Sequence, residues 1–215
     1  MPGLGPFAGS VAVLLVIVVL LWFAIGTQLN IRKGNQLLRW LQDGLPLLAR
    51  HTTLQWLGSS AVRLRVDRPK PPFGEAEIVI MLEPRDVPWF WALGRVRARR
   101  DFLILRGHLR HRPGYELEAF APTGWTARDA RRRVDQSWRE EDWDPAVHVA
   151  RSPDVDIDRT RKHWAALEEA SGGLWRLSIR RDPPHLQVHA LPPDTAVVSS
   201  EMLVRAFREL ASDVG

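Results

Sequence analysis

Three groups of residues in this sequence have the types and spacing that can do chemistry. Asp154-Val155-Asp156-Ile157-Asp158 carries the alternating carboxylates that open a calcium-binding loop. Such a loop also needs Gly at its sixth position, for the turn, and Glu at its twelfth, as bidentate ligand, but those places hold Arg159 and Ala165. The run therefore reads as a helix cap, with Asp156 or Asp158 accepting from the first free N–H groups of a helix near Arg159. Two histidine pairs come next: His108 with His111 near a hairpin, and His185 with His189 four apart on one strand, hence on one side. Together they offer up to four imidazole ligands, yet no carboxylate spacing accompanies them, and no metal is predicted. The acidic knot Glu140-Glu141-Asp142-Trp143-Asp144 offers paired carboxylates for proton transfer. It has no nucleophile or orienting group nearby in sequence, and it reads as counter-charge for Arg131, Arg132 and Arg133.

No phosphate-cradling glycine loop, G-x-S-x-G elbow, H-E-x-x-H helix or dinucleotide fingerprint is present. The chain has no cysteine, which excludes disulfides and thiolate chemistry. No catalytic residue and no cofactor is predicted. An active site assembled from distant residues escapes a motif search, so a membrane-anchored enzyme with a dispersed site stands as the alternative reading.

The element that positions everything else is Phe7 to Ile25, 19 residues without a charge. At 1.5 Å per residue it spans roughly 28 Å, about one hydrocarbon core. A cleaved signal peptide has a basic leader and a shorter apolar run, whereas Met1 to Ser10 has no Lys or Arg. A buried core helix would show a polar stripe, and this run has none. The stretch is read as a retained transmembrane anchor within residues 1–28, partnered by the bilayer. Arg32, Lys33 and Arg39 follow it before the first acid, Asp43. The positive-inside rule then predicts the N-terminus outside and the remainder cytoplasmic at the cell membrane. Ala8, Gly9 and Ala12 read as lipid-facing positions rather than a helix-packing patch.

Residues 29–58 read as a juxtamembrane amphipathic helix and linker, with Gly34 and Gly44-Leu45-Pro46 as interruptions. Residues 59–215 are one domain, long enough for a core. Its pattern is two strands, a proline-containing turn and a helix, used three times. The strand pairs are Ala61–Val66 with Ala76–Glu83, Asp101–His108 with Tyr115–Ala121 across Pro113-Gly114, and Leu174–Arg180 with His185–Leu191. Helices follow at Val87–Arg100, Thr126–Arg139 and Val198–Ser212, and residues 140–173 form a helical insertion around Arg159–Ala170. The expected fold is α+β, an antiparallel sheet of about six strands with helices on one face.

The charge is concentrated. Seven of the chain's basic residues lie between Arg95 and Arg112, against the single acid Asp101. Just before them stands Val87-Pro88-Trp89-Phe90-Trp91-Ala92-Leu93. Aromatic rings beside cations suit a headgroup layer or a protein interface. Trp89, Trp91, Arg95, Arg97, Arg99 and Arg100 are thus the candidate interface or lipid-binding residues. The bland alternative packs the aromatics on the sheet and leaves the arginines solvated. A net charge of +5 is modest for nucleic-acid binding, which is not expected. The function predicted is that of a single-pass membrane protein whose cytoplasmic domain docks a protein partner, as accessory subunit or scaffold.

Overall fold

The computed structural model describes residues 5–124, 126–144, 146–153 and 155–215. Residues 1–4 of the anchor segment and Asp154 of the aspartate run lie outside them. One helix, α1 (Gly5–Gly44), runs unbroken for 40 residues through two environments. From Gly9 to Ile25 every residue is exposed, and this part is long and apolar enough to cross a membrane. From Gly26 onward a stripe at three- and four-residue steps (Asn30, Gly34, Leu37, Leu38, Leu41) is buried against the domain. Gly34 does not interrupt the helix. Glycine costs a helix only about 1 kcal/mol, and here its bare Cα lets Trp56 approach, since a Cβ would stand 2.6 Å from that indole. Gly44-Leu45-Pro46 does end the helix, in a single 3₁₀ turn at Leu45–Leu47.

The domain is α+β, built on one nine-stranded antiparallel sheet. Its strands are β1 (His51–Trp56), β2 (Ala61–Asp67), β3 (Phe73–Met81), β4 (Phe102–Leu109), β5 (Leu117–Phe120), β6 (Arg139–Asp144), β7 (Val147–Arg151), β8 (Leu174–Ile179) and β9 (Leu186–Ala190). The helices after α1 are α2 (Pro88–Val96), α3 (Ala127–Arg131), α4 (Ile157–Glu169) and α5 (Ser200–Val214). The order across the sheet is β1-β2-β3-β4-β9-β8-β5-β7-β6.

Three expectations change. Nine strands replace six, because His51–Trp56 is an edge strand inside the presumed linker and residues 140–173 hold β6 and β7 as well as α4. The acidic knot is β6 itself, a solvent-facing edge strand with no apolar alternation to announce it. Pro113-Gly114 does not close a hairpin. β4 pairs with β3 and β9, β5 pairs with β7 and β8, and the β8–β9 hairpin stands between them.

The two sheet faces differ. On one, Leu64, Ile78, Leu105, Val188, Leu177 and Ala119 meet the buried stripes of α1, α4 and α5 in a single large core. Phe73 stacks on Phe207 of α5 at 5.2 Å. Asp156 caps α4 by accepting from Arg159 N at 3.1 Å, and Ser199 caps α5 by accepting from Glu201 N at 3.2 Å. Among the described residues the opposite face carries only the short α3, seated by Ala127 and Ala130 on Phe120. Helices are therefore not confined to one face.

Candidate functional site

The end of the domain next to the exposed apolar part of α1 is fixed by a few polar contacts. Trp22, near the last exposed turn of α1, donates its indole N–H to the Arg85 carbonyl at 2.9 Å and lies 6.1 Å from the Trp91 ring. Gly26 permits this join, because a Cβ there would fall 2.2 Å from the same carbonyl. The Arg85 guanidinium forks onto both Asp101 oxygens at 3.0 and 2.9 Å and also reaches Asn30 of α1 at 3.1 Å. Asp101 in turn accepts from Glu83 N at 2.8 Å. The end of β3 and the start of β4 are thereby held against α1 where its exposed apolar part ends. Because every pairing is antiparallel, β5 and β9 also end at this edge, and α3 follows β5 there.

Between β3 and β4, α2 lies beside the apolar part of α1 with no buried residue. Trp89 and Phe90 are each 58% exposed, Leu93 46% and Val96 85%. The helix starts at Pro88, where a missing N–H costs nothing, and ends at Val96, short of the expected Arg100. The six candidate residues take different places on and after this helix. Trp89 points outward with Phe90. Trp91 is half-buried and donates to Glu83 at 2.7 Å. Arg95 lies over the Trp91 ring at 5.4 Å and reaches the buried Glu83 at 3.3 Å. Arg97, Arg99 and Arg100 follow the helix, and Arg100 donates to the Arg99 carbonyl at 2.8 Å. On α1 itself, Arg32, Lys33 and Arg39 line a groove with Arg85.

The second feature lies on the sheet face away from the core, where it holds a cavity of about 920 Å³. Its floor is Val79, Met81, Phe102, Ile104, Gln187 and His189, its wall the α3 region, and its mouth Leu57 and Arg97. Register makes the floor continuous, with Arg63 opposite Val79, Val79 opposite Ile104, Ile104 opposite His189 and His189 opposite Arg176. Six arginines line it (63, 97, 106, 128, 132 and 133) against one carboxylate, Asp129. Glu77 lies behind them, 2.7 Å from Arg106 and 3.6 Å from Arg63. Arg97, Arg128 and Arg132 have no acidic partner among the described residues.

A buried charge network carries the wall. Arg176 and Glu118, both fully buried, form a two-pronged bond at 2.9 Å on each prong. Ser178 and Arg180 donate to the same carboxylate at 2.6 and 2.9 Å. The remaining Arg176 nitrogen donates to Asp129 of α3 at 2.7 Å, and this bond holds Asp129 below the ordinary carboxylate range. Arg180 stacks on Trp138 at 4.6 Å and ties down the Arg133 carbonyl at 2.6 Å. His189, in contrast, is 5% exposed, and neither ring nitrogen has a hydrogen-bond partner among the described residues. Burial, with Arg176 and Arg106 adding to it, pushes His189 down to about 3, so the imidazole is neutral at physiological pH. Thr126 Oγ1 and the Nε atoms of Arg63 and Arg106 are likewise buried without a hydrogen-bond partner among the described residues, although Arg63 Nε lies 3.6 Å from Glu77.

The histidine pairs separate: His185 accepts from Leu109 N at 2.8 Å, with the His108 ring 6.4 Å away, while His189 lies in the cavity. The acidic knot does not balance Arg131–Arg133. Glu140 and Asp142 flank His148 at 3.1 and 2.9 Å, and Glu141 meets Arg151 at 2.8 Å. Sequence reading missed Arg63, Arg106, Thr126 and Gln187. The three strand residues show only an alternation that also describes a solvated sheet face, and Thr126, just before α3, carries no strand pattern at all. Compared with known proteins, the chain matches no protein-family model and no curated protein sequence.

Proposed function

We propose that the chain is a single-pass membrane protein whose cytoplasmic domain lies on the bilayer with α2 in the headgroup layer, serving there as an accessory subunit or scaffold for a membrane protein partner. The observation that carries this reading is α2. A helix that offers two aromatics and two aliphatics to the outside, while tied to the end of an apolar anchor, matches an interfacial helix rather than a solvated one. The alternative of a loose surface helix would leave these side chains in water. Arg32, Lys33 and Arg39 supply cations at the same level, as an anionic inner leaflet favours.

Immersion is tested by brominated-lipid quenching of tryptophan emission in nanodiscs, comparing the protein with Trp89→Phe. The expected result is that the variant loses a quenched component. Equal quenching in both overturns the interfacial placement. Orientation is tested by single cysteines, clean probes in a chain with none. Gly3→Cys should react with an impermeant maleimide from outside, and Asp182→Cys only after permeabilisation. Native mass in mild detergent tests the partner: a stoichiometric companion supports the subunit role, and a lone monomer overturns it.

A further inference from the structure

The cavity on the open sheet face has no part in the membrane contact of α2, and its composition is specific. Its floor is apolar toward the anchor end, where Met81 and Phe102 lie, and cationic toward Arg106. It has more guanidinium than the nearby carboxylates neutralise. Two side chains more than nine-tenths buried, His189 and Thr126, place polar atoms there with no partner among the described residues. A buried polar group without a partner costs about 1–3 kcal/mol, so such a group in a cavity is explained by a ligand that completes it.

We propose that this cavity binds a phosphate ester with an apolar body, its phosphate on Arg128 and Arg132 with hydrogen bonds from Thr126 and His189, and its apolar part on Ile104 and Phe102. Phosphate suits the site better than carboxylate. It has more acceptor oxygens and up to two charges, and arginine forks match its geometry. A neutral imidazole can give it one N–H without a proton having to be taken up. Two sources carry this chemistry: a phospholipid reaching in from the bilayer edge, and a soluble phosphate ester.

The inference stands on the cavity alone and survives if α2 proves to be solvated. It is tested on the full chain in phosphatidylcholine nanodiscs by thermal unfolding. In one arm the discs contain phosphatidic acid; in the other, phenyl phosphate is added in solution. Binding at a hundredfold saturation should raise the midpoint by roughly 5–10 °C. The arm that produces the rise identifies the source. Arg128→Gln with Arg132→Gln should abolish it; both side chains are exposed, so folding is not at stake. Lys162→Gln with Arg205→Gln removes the same charge from helices on the other face and should leave the rise intact. His189→Phe, which keeps the ring contact with Phe102, should cut the affinity at least several-fold. No rise in either arm overturns the proposal. So does a rise lost equally in the Lys162/Arg205 variant, which would make it a general charge effect.

Discussion

The two faces of this sheet are made of the same strands and built on opposite principles. On the covered face, apolar side chains from β2, β3, β4, β8 and β9 are closed over by α1, α4 and α5, and burial alone accounts for the packing. On the open face the same strands present arginine, glutamate and histidine, and the short α3 is held by a buried ion network rather than by area. The first face tolerates any well-shaped apolar set. The second depends on each partner, since one missing member leaves a charge stranded in low dielectric.

That contrast can be broken most sharply at Arg176. Arg176→Met should destabilise the full chain in micelles by about 3–5 kcal/mol, because Glu118 loses its two-pronged partner in a fully buried place. Adding Glu118→Leu should restore most of the loss, read by chemical unfolding. On the covered face Phe207→Ala should cost a similar amount, about 3–5 kcal/mol, through a cavity beside Phe73. No second substitution that removes a charge should repair it, which separates the two mechanisms.

Acid should act on the open face through His189. His189 has a folded value of about 3, below its unfolded value near 6.5. The unfolded chain therefore binds a proton that the folded chain refuses, and stability falls as pH drops from about 6.5 toward 3. The slope from this group is about 1.4 kcal/mol per pH unit. Asp129, held low by Arg176, adds to the loss below its ordinary range near 4, tempered by its exposure. In unfolding measured from pH 7 to 4, His189→Phe should flatten the slope, while Phe207→Ala should shift the curve without changing its shape.

Smaller effects refine the comparison. Ser199→Ala should cost about 1 kcal/mol by removing the cap of α5, a covered-face helix whose packing otherwise persists. Trp89→Ser should change unfolding stability by less than about 0.5 kcal/mol, since its ring packs on no core. A large loss in detergent would show that α2 is structural rather than interfacial.

The sequence by itself determined the elements whose side-chain period reports a single environment. The apolar run of α1, the alternation of β2, the cap of α4 and the α+β class were all legible, because local pattern and burial agree there. Tertiary structure alone decided the rest. β1 and β6 are edge strands with little burial to mark them. The β8–β9 hairpin separates β4 from β5, a long-range pairing that no turn signal at Pro113-Gly114 encodes. The cavity gathers Arg63, Arg106 and His189 from three separate strands and Thr126 and Arg128 from the start of α3. Each of these residues reads locally as a solvated polar position. They converge because the register places their strands' open faces in one row under α3, and register is a property of the assembled sheet.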